Sequence, residues 1–376
     1  MISIDFVSTS KPSGSKTYII NFCKELFNKK TFDKEITIFI LKSYLDELNI
    51  EKKPENIKIV TKSNLYSNSI LRLIWCQIIL PIKLISNRSK VLFSPLNIAP
   101  IIVKFLKIKN ILTLHSNLPW IYFNMMPGNF LKKYLIKFFM TLSIKNCDCL
   151  IVNSGYAKQE IISKLNIEKK KIIKIYLGIN TDHKKNFYNH SSNENEYILS
   201  VLSCVRYHNV INLLKGYKLF INKYQKKINL KLIMQILDYD YLKEIKQFIK
   251  INELDKKIQI ITAKERSLLN DFYLNANSYV FTSYCEVFGY STLEAMNFEL
   301  PVLTSDRSAL KEINSDAAIY FDPDNIEEIS DKLFEISSNE ILRKNLRIRG
   351  IENLKRFKNL NNFNETMDLI YEFSDK

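Results

Sequence analysis

Short runs rich in isoleucine, leucine and valine alternate with helical patterns along almost the whole chain. ISIDFVS (2–8), EITIFIL (35–41), IKIVT (57–61), VLFSP (91–95), NILTLHS (110–116) and CLIVNSG (149–155) have the length and β-branched content of buried strands. Helical patterns lie between most of them. The alternation resumes with YILSVLS (197–203), LKLIMQIL (230–237), KIQIIT (257–262), SYVFTS (278–283) and LPVLTS (300–305). Parallel strands need crossover connections, and helices supply them, so the pattern implies doubly wound sheets covered on both faces. The expected fold class is α/β: two doubly wound Rossmann-like domains with a cleft between them.

A chain of 376 residues is too long for one ordinary core. The longest polar stretch, TDHKKNFYNHSSNENE (181–196), marks the boundary. The expected division is an N-terminal domain 1–185, a polar linker 186–196 and a C-terminal domain 197–355. A final helix, 356–376, is placed to pack back on the N-terminal domain.

Charge divides at the same place. Residues 1–185 hold 30 Lys/Arg against 12 Asp/Glu, a balance of +18, and the remainder carries −2. A basic half suggests an anionic partner such as nucleic acid, a membrane surface or a phosphorylated substrate. No helix-turn-helix, zinc-finger or RNP pattern accompanies the charge, which argues against nucleic acid. The six cysteines are scattered without zinc or disulfide spacing and read as buried thiols. The opening MISIDFVSTSK lacks the basic and apolar regions of a signal peptide. The apolar run LIWCQIILPI (73–82), closed by Arg72 and Lys83, reads as too short to span a bilayer. These features imply a cytoplasmic protein, soluble or peripheral at a membrane.

The chemistry concentrates in CEVFGYSTLEAMNFELPVLTS (285–305). A strand ends at Ser283, a loop carries Glu286, Phe288 and Gly289, and a helix begins near Ser291. Ligands of open α/β sheets sit beyond the C-terminal strand ends. A new helix there offers free N–H groups and the positive end of its dipole, which suit a phosphate. Gly289 lets backbone approach a ligand. Glu294 could accept from a vicinal diol such as a ribose, and Glu286 from a second polyol such as a sugar. The plainer alternatives are a capping box, Ser291-Thr-Leu-Glu294, and a solvated loop carboxylate at Glu286.

The segment SYCEVFGYSTLEAMNFELPVL resembles the E-x7-E region of GT4-type glycosyltransferases, whose pattern runs S-x-x-E-G-F-G-x-P-x-x-E-A-M-x-x-G-x-P-V. SDRSALKEINSDAAIYFDPDN (305–325), with Glu312, Ala317, Ala318, Asp322 and Pro323, resembles the next block of that family. YILSVLSCVRYHNVINLLKGY (197–217), TLHSNLPW and DCLIVNSGYAKQEI also have counterparts there. Val287 and Glu299 stand where glycines are usual, Ser291 replaces a proline, and Ser200 and Val201 fall where glycine is common. His208 occupies the place of a lysine that meets the donor diphosphate.

The resemblance implies the GT-B fold and a retaining glycosyltransferase of hexosyl type that uses neither cofactor nor metal. A nucleotide-sugar donor would bind mainly to the C-terminal domain. Glu294 would hold the ribose and Glu286 the transferred sugar, with Phe288, Gly289, Tyr290 and Ser291 near the sugar or β-phosphate. Arg206 and His208 would offset charge on the leaving diphosphate. Gly14, in the first strand–helix turn, and His115, at the end of a strand, would face the donor or acceptor, His115 in a sugar-contacting or acid–base role. The acceptor expected is a glycan or lipid-linked glycan of a surface polysaccharide, met at an anionic membrane surface. Alternatives are a sugar-nucleotide epimerase on the same scaffold and a basic nucleic-acid-binding protein. Two further features have bland readings. DYD (238–240) reads as a chance D-x-D. The helix 129–146, with Phe130, Tyr134, Phe138 and Phe139 beside Lys132, Lys133 and Lys137, reads as core packing or as a lipid-facing basic helix.

Overall fold

The structure, a computed structural model, describes residues 1–10, 14–50, 53–179, 196–262 and 267–375. The chain forms two units, residues 1–117, 134–180 and 357–376 in the first, and 118–133 with 181–356 in the second. The linker expected at 186–196 lies outside the described residues except for Glu196.

The first unit is built on seven parallel strands among the described residues, in the order β3-β2-β1-β4-β5-β6-β7. They are β1 (Ile2–Phe6), β2 (Ile36–Leu41), β3 (Ile57–Lys62), β4 (Val91–Ser94), β5 (Lys109–Leu114), β6 (Cys149–Val152) and β7 (Ile172–Lys174). Ile4 of β1 pairs with Ile38 of β2 and with Phe93 of β4. Every residue of β1, β2 and β4 is buried, including Ser3 and Asp5, which alternate with Ile2, Ile4 and Phe6 in β1, so these strands are covered on both faces. The three-residue β7 was too short to be legible in advance. The last helix, Asn359–Asp375, belongs to this unit: Phe363 packs on Phe22 at 4.9 Å between ring centroids, and Asn359 donates to the carbonyl of Asn21.

The run 73–82 is part of a longer helical segment, Ser69–Ser86. Among the described residues it is the one helix long and apolar enough to cross a membrane. The expected limit at Arg72 and Lys83 is therefore corrected, because both charged residues sit inside the helix. Pro81 has no N–H to donate and its ring would clash with a carbonyl one turn earlier. A wider turn over Trp75–Ile79, in which Leu80 N–H reaches back to Trp75 O, accommodates it. Trp75, Leu80 and Leu84 are fully buried against the first sheet.

The second unit repeats the plan with six parallel strands in the order β10-β9-β8-β11-β12-β13. These are β8 (Tyr197–Cys204), β9 (Asn229–Ile236), β10 (Ile258–Thr262), β11 (Ser278–Phe281), β12 (Val302–Ser305) and β13 (Ala318–Phe321). In both units the strand order reverses beside the first strand, at β1/β4 and at β8/β11. Such reversals open a crevice at the C-terminal strand ends. Gly216 lets the helix Val210–Lys223 pack directly on Ile326–Ser338, since a Cβ there would lie 2.3 Å from the Ile329 side chain. All six cysteines are free and buried.

Candidate active site

The β8/β11 crevice brings His208 and Glu286 of the second unit together. β8 ends at Cys204 and runs into a tight turn, Arg206–His208, closed by Asn209 in the left-handed region at φ 55°. Asparagine tolerates that conformation because its short amide can bond locally; Asn209 Nδ2 donates to Pro323 O at 2.8 Å. β11 ends at Phe281 and the chain then passes beside this turn. Thr282 Oγ1 donates to His208 O at 2.9 Å, and Tyr284 N–H to Tyr207 O at 2.8 Å.

Glu286 and His208 meet across this seam. His208 Nε2 lies 3.4 Å from Glu286 Oε1, and Ser283 Oγ donates to the same oxygen at 2.9 Å. The His208 and Glu286 side chains are only 10% and 20% exposed, so the pair is shielded from screening. His208 Nδ1 faces both main-chain groups of Ser203, the carbonyl at 2.9 Å and the N–H at 3.0 Å. When Nδ1 accepts from the Ser203 N–H, the ring proton sits on Nε2 and faces Glu286. The Glu286 main chain is pinned as well: its N–H donates to Ser308 Oγ at 3.0 Å and its carbonyl accepts from Ala309 N at 3.2 Å.

Gly289 starts the helix Tyr290–Asn297 with φ 91°, where a Cβ would lie 2.7 Å from Leu310 Cδ2. Both facts favour glycine. The helix has no side-chain cap, so the capping box Ser291–Glu294 does not form. Instead Thr292 Oγ1 donates to Gly289 O or to Asn314 Oδ1, each at 2.7 Å. Glu294 is half-buried one turn into the helix. Glu286 and Glu294 share a neighbour in the fully buried Tyr279 of β11. Burial raises its phenol pKa, and both carboxylates push it further, while Ser291 hydrogen-bonds to it. Phe288 is buried, and its ring lies 6.4 Å from that of the half-buried Tyr290.

Other expected site residues lie apart. Arg206, expected near the leaving diphosphate, is engaged elsewhere. Its guanidinium makes a two-point pair with Glu244, at 3.0 and 2.5 Å, and lies over the Tyr241 ring. The Glu244 hydrogen bond chiefly raises its pKa further. The physical reason is local: Asp238, at the start of helix Tyr239–Ile251, lies 3.9 Å from Arg206 Nε, and Glu244 sits on that helix. The DYD sequence has a structural part, since Asp238 caps the helix by accepting from Tyr241 N at 2.9 Å.

His115 and Gly14 belong to the first unit. His115 Nε2 lies 3.0 Å from Pro95 O, and Asn153 Nδ2 lies 3.4 Å from Nδ1. Burial pushes its pKa down to about 4, so the ring is neutral, with Nε2 donating and Nδ1 accepting. Both nitrogens are thus committed, which leaves the ring no free nitrogen for acid–base work. Gly14 opens the helix Gly14–Asn28, and a Cβ there would meet nothing within 4 Å. Lys11–Ser13 of that turn lie outside the described residues.

Ser283 and Ser308 were not singled out from sequence, yet they hold Glu286 by side chain and by backbone. Ser283 opens the S-x-x-E pattern, which was the available signal. Ser308 is 22 residues from Glu286, and nothing in the sequence links the two.

Comparison with known proteins gives the same picture. Residues 12–183 match the model of Glycosyltransferase Family 4, and residues 180–353 that of Glycosyl transferases group 1. The chain is 27% identical over 232 residues to the O-antigen chain mannosyltransferase RfbU of Salmonella typhimurium, covering 59% of this chain and 62% of that protein. It is also 32% identical over 85 residues to O-antigen chain mannosyltransferase B of Escherichia coli, over 23% and 22% of the respective lengths. The matches thus span under two thirds of these relatives. Among solved structures, Anabaena HepE in complex with UDP-glucose superposes with a TM-score of 0.74, at 14% identity, over 99% of this chain and all of that one. Sucrose-phosphate synthase from Thermosynechococcus elongatus superposes at 0.71, with 15% identity, over 99% and 98%. With two family models that together run from residue 12 to 353, and two doubly wound parallel sheets of the GT-B type, the chain belongs to the GT4-type glycosyltransferases.

Proposed function

We propose that the protein transfers a hexosyl group, with retention of configuration, from a nucleotide-sugar to a glycan or lipid-linked glycan in surface polysaccharide synthesis. The observation that carries this reading is the fixed Glu286 carboxylate, held on one oxygen by Ser283 and His208 at the β8/β11 crevice. With Oε1 held, Oε2 is the oxygen left to meet a sugar hydroxyl. Glu294, which shares the neighbour Tyr279 with Glu286, accepts from a ribose diol in this reading. The Gly289 helix start takes the diphosphate, where a helix without a side-chain cap and its dipole favour negative charge.

As the bond from the anomeric carbon to the diphosphate breaks, the electron pair leaves with phosphate oxygen. The acceptor oxygen bonds to the anomeric carbon and its proton passes to the departing phosphate oxygen. The protein's part is positioning and fixed charge, with His208 the basic group in the crevice and Arg206 tied to Glu244. His115, with both ring nitrogens bonded to Pro95 and Asn153, serves as a van der Waals contact of the sugar at most. The reading includes no metal, cofactor or nucleic acid, and places the work at the cytoplasmic face of a membrane. The O-antigen relatives support the polysaccharide role, and the UDP-glucose bound by HepE supports a nucleotide-sugar donor.

The test is Glu294→Ala. Transfer from a nucleotide-sugar, found by a thermal-shift screen of GDP-, UDP- and dTDP-sugars, should disappear while the melting transition stays in place. Normal turnover by this variant would overturn the site assignment. Formation of an epimer from donor alone would instead favour an epimerase.

A further inference from the structure

We infer that the first unit docks on an anionic lipid bilayer through the outer face of the helix Ser69–Ser86 and the adjoining turn Ile101–Leu106. This deepens the membrane-face reading above and rests on it for the kind of surface, not for the donor site. The helix turns Trp75, Leu80 and Leu84 inward, yet its outer face is also apolar. Ile74, Ile78, Ile82 and Ile85 recur every three or four residues and so share one face; the last three are 59%, 60% and 56% exposed. Phe105 of the turn is 78% exposed.

Hydrogen bonds hold these parts side by side. Gln77 of the helix donates to Ala99 O and accepts from Ile101 N, each at 3.1 Å. Ser143, on the helix Phe130–Asn146, accepts from Ala99 N at 3.1 Å. On that third element Met140, Ser143 and Ile144 are buried in the core, whereas Phe138 is exposed, as are Phe130 and Tyr134 toward its start.

Charge identifies what covers the face. From residue 56 to residue 147 the sequence contains thirteen Lys/Arg and no Asp or Glu. Lys83 lies on the exposed helix face, and Lys104 and Lys107 border Phe105. A face apolar at its centre with Lys83, Lys104 and Lys107 beside it fits lipid headgroups of negative charge, with isoleucine and phenylalanine entering the acyl boundary. A second copy of the chain fits poorly, because a two-fold interface would bring the lysines Lys83, Lys104 and Lys107 of both copies together.

The test is flotation of the full chain with vesicles of phosphatidylethanolamine and phosphatidylglycerol, against phosphatidylcholine alone. Binding to the anionic vesicles is expected, weakened by salt. The exposed triple change Ile78→Ser, Ile82→Ser and Phe105→Ser should lower binding about tenfold or more without shifting the melting transition. Failure of the unaltered protein to bind, or equal binding by the triple variant, overturns the inference. So does conversion of a dimer to monomer by the triple change with vesicle binding intact. Transfer to a water-soluble acceptor analogue, measured without vesicles, separates the readings. Transfer without vesicle binding removes this inference alone, whereas vesicle binding without transfer removes the transferase reading alone.

Discussion

Asp5 and His115 are enclosed in the first unit, and replacing each should tilt the pH dependence of its stability in opposite directions. Asp5 accepts from Trp75 Nε1 at 3.0 Å and from Val7 N at 3.2 Å. Burial pushes its pKa up to about 7 from 3.8, against the pull of those bonds and of Arg72 and Lys62. Burial pushes His115 down to about 4 from 6.5, against its bond to Pro95. These displacements correspond to about 4 kcal/mol for Asp5 and about 3 kcal/mol for His115. Between pH 3.8 and 7 the folded state holds a proton on Asp5 that the unfolded chain has released, so stability falls as pH rises. Between pH 4 and 6.5 the unfolded chain holds a proton on His115 that the folded state excludes, so stability rises with pH. The two slopes, each about 1.4 kcal/mol per pH unit, oppose one another and nearly cancel where they overlap. Asp5→Asn should therefore make stability rise with pH relative to the unaltered protein, and His115→Gln should make it fall. Above pH 7 the asparagine variant should be the more stable by up to about 4 kcal/mol. Urea unfolding at steps between about pH 4.5 and 6.5, followed by Trp75 fluorescence in a Trp120→Phe background, reports on this unit. Parallel slopes in all three proteins, or tilts of the opposite sign, would refute the reasoning.

Two further outcomes concern the second unit. Ser283→Ala removes a hydrogen bond to an ionised carboxylate, worth about 1.5–3 kcal/mol. Steady-state kinetics should show kcat lowered roughly 10- to 100-fold with the fold retained, whereas an unchanged kcat would deny Ser283 a positioning role. Gly289→Ala places a side chain at φ 91° and within 2.7 Å of Leu310 Cδ2. It should destabilise the protein by about 1–3 kcal/mol, read as a lowered melting temperature together with weakened nucleotide binding.

Most of the architecture was legible because it is written locally. A strand buried on both faces is dense in apolar residues with at most isolated polar ones, and β1, β2, β4, β8 and β11 all fit that description, so their order along the chain could be read directly. The short β7 and β13 were not picked out, because three or four residues carry little pattern. The spacing of Glu286 and Glu294 also follows from local structure, since a loop and one helical turn separate them. Arg206 was a different case. Its distance along the chain from His208 suggested a shared task, but Glu244, 38 residues away, captures its guanidinium. The apolar run 73–82 understates the helix Ser69–Ser86, because Arg72 and Lys83 look like ends in the sequence but lie within its turns.

Sequence alone thus determined two α/β units, the family likeness, and an acidic pair beside a glycine at a helix start. Only the tertiary structure decided that Ser283, His208 and Ser308 hold Glu286, that His115 is neutral with both ring nitrogens occupied, and that an isoleucine face stays uncovered in a stretch without acids. The division has one physical cause. Backbone preference and apolar periodicity act over a few residues, whereas hydrogen-bond partners, charge pairing and exposure depend on which distant segments the sheet order brings together.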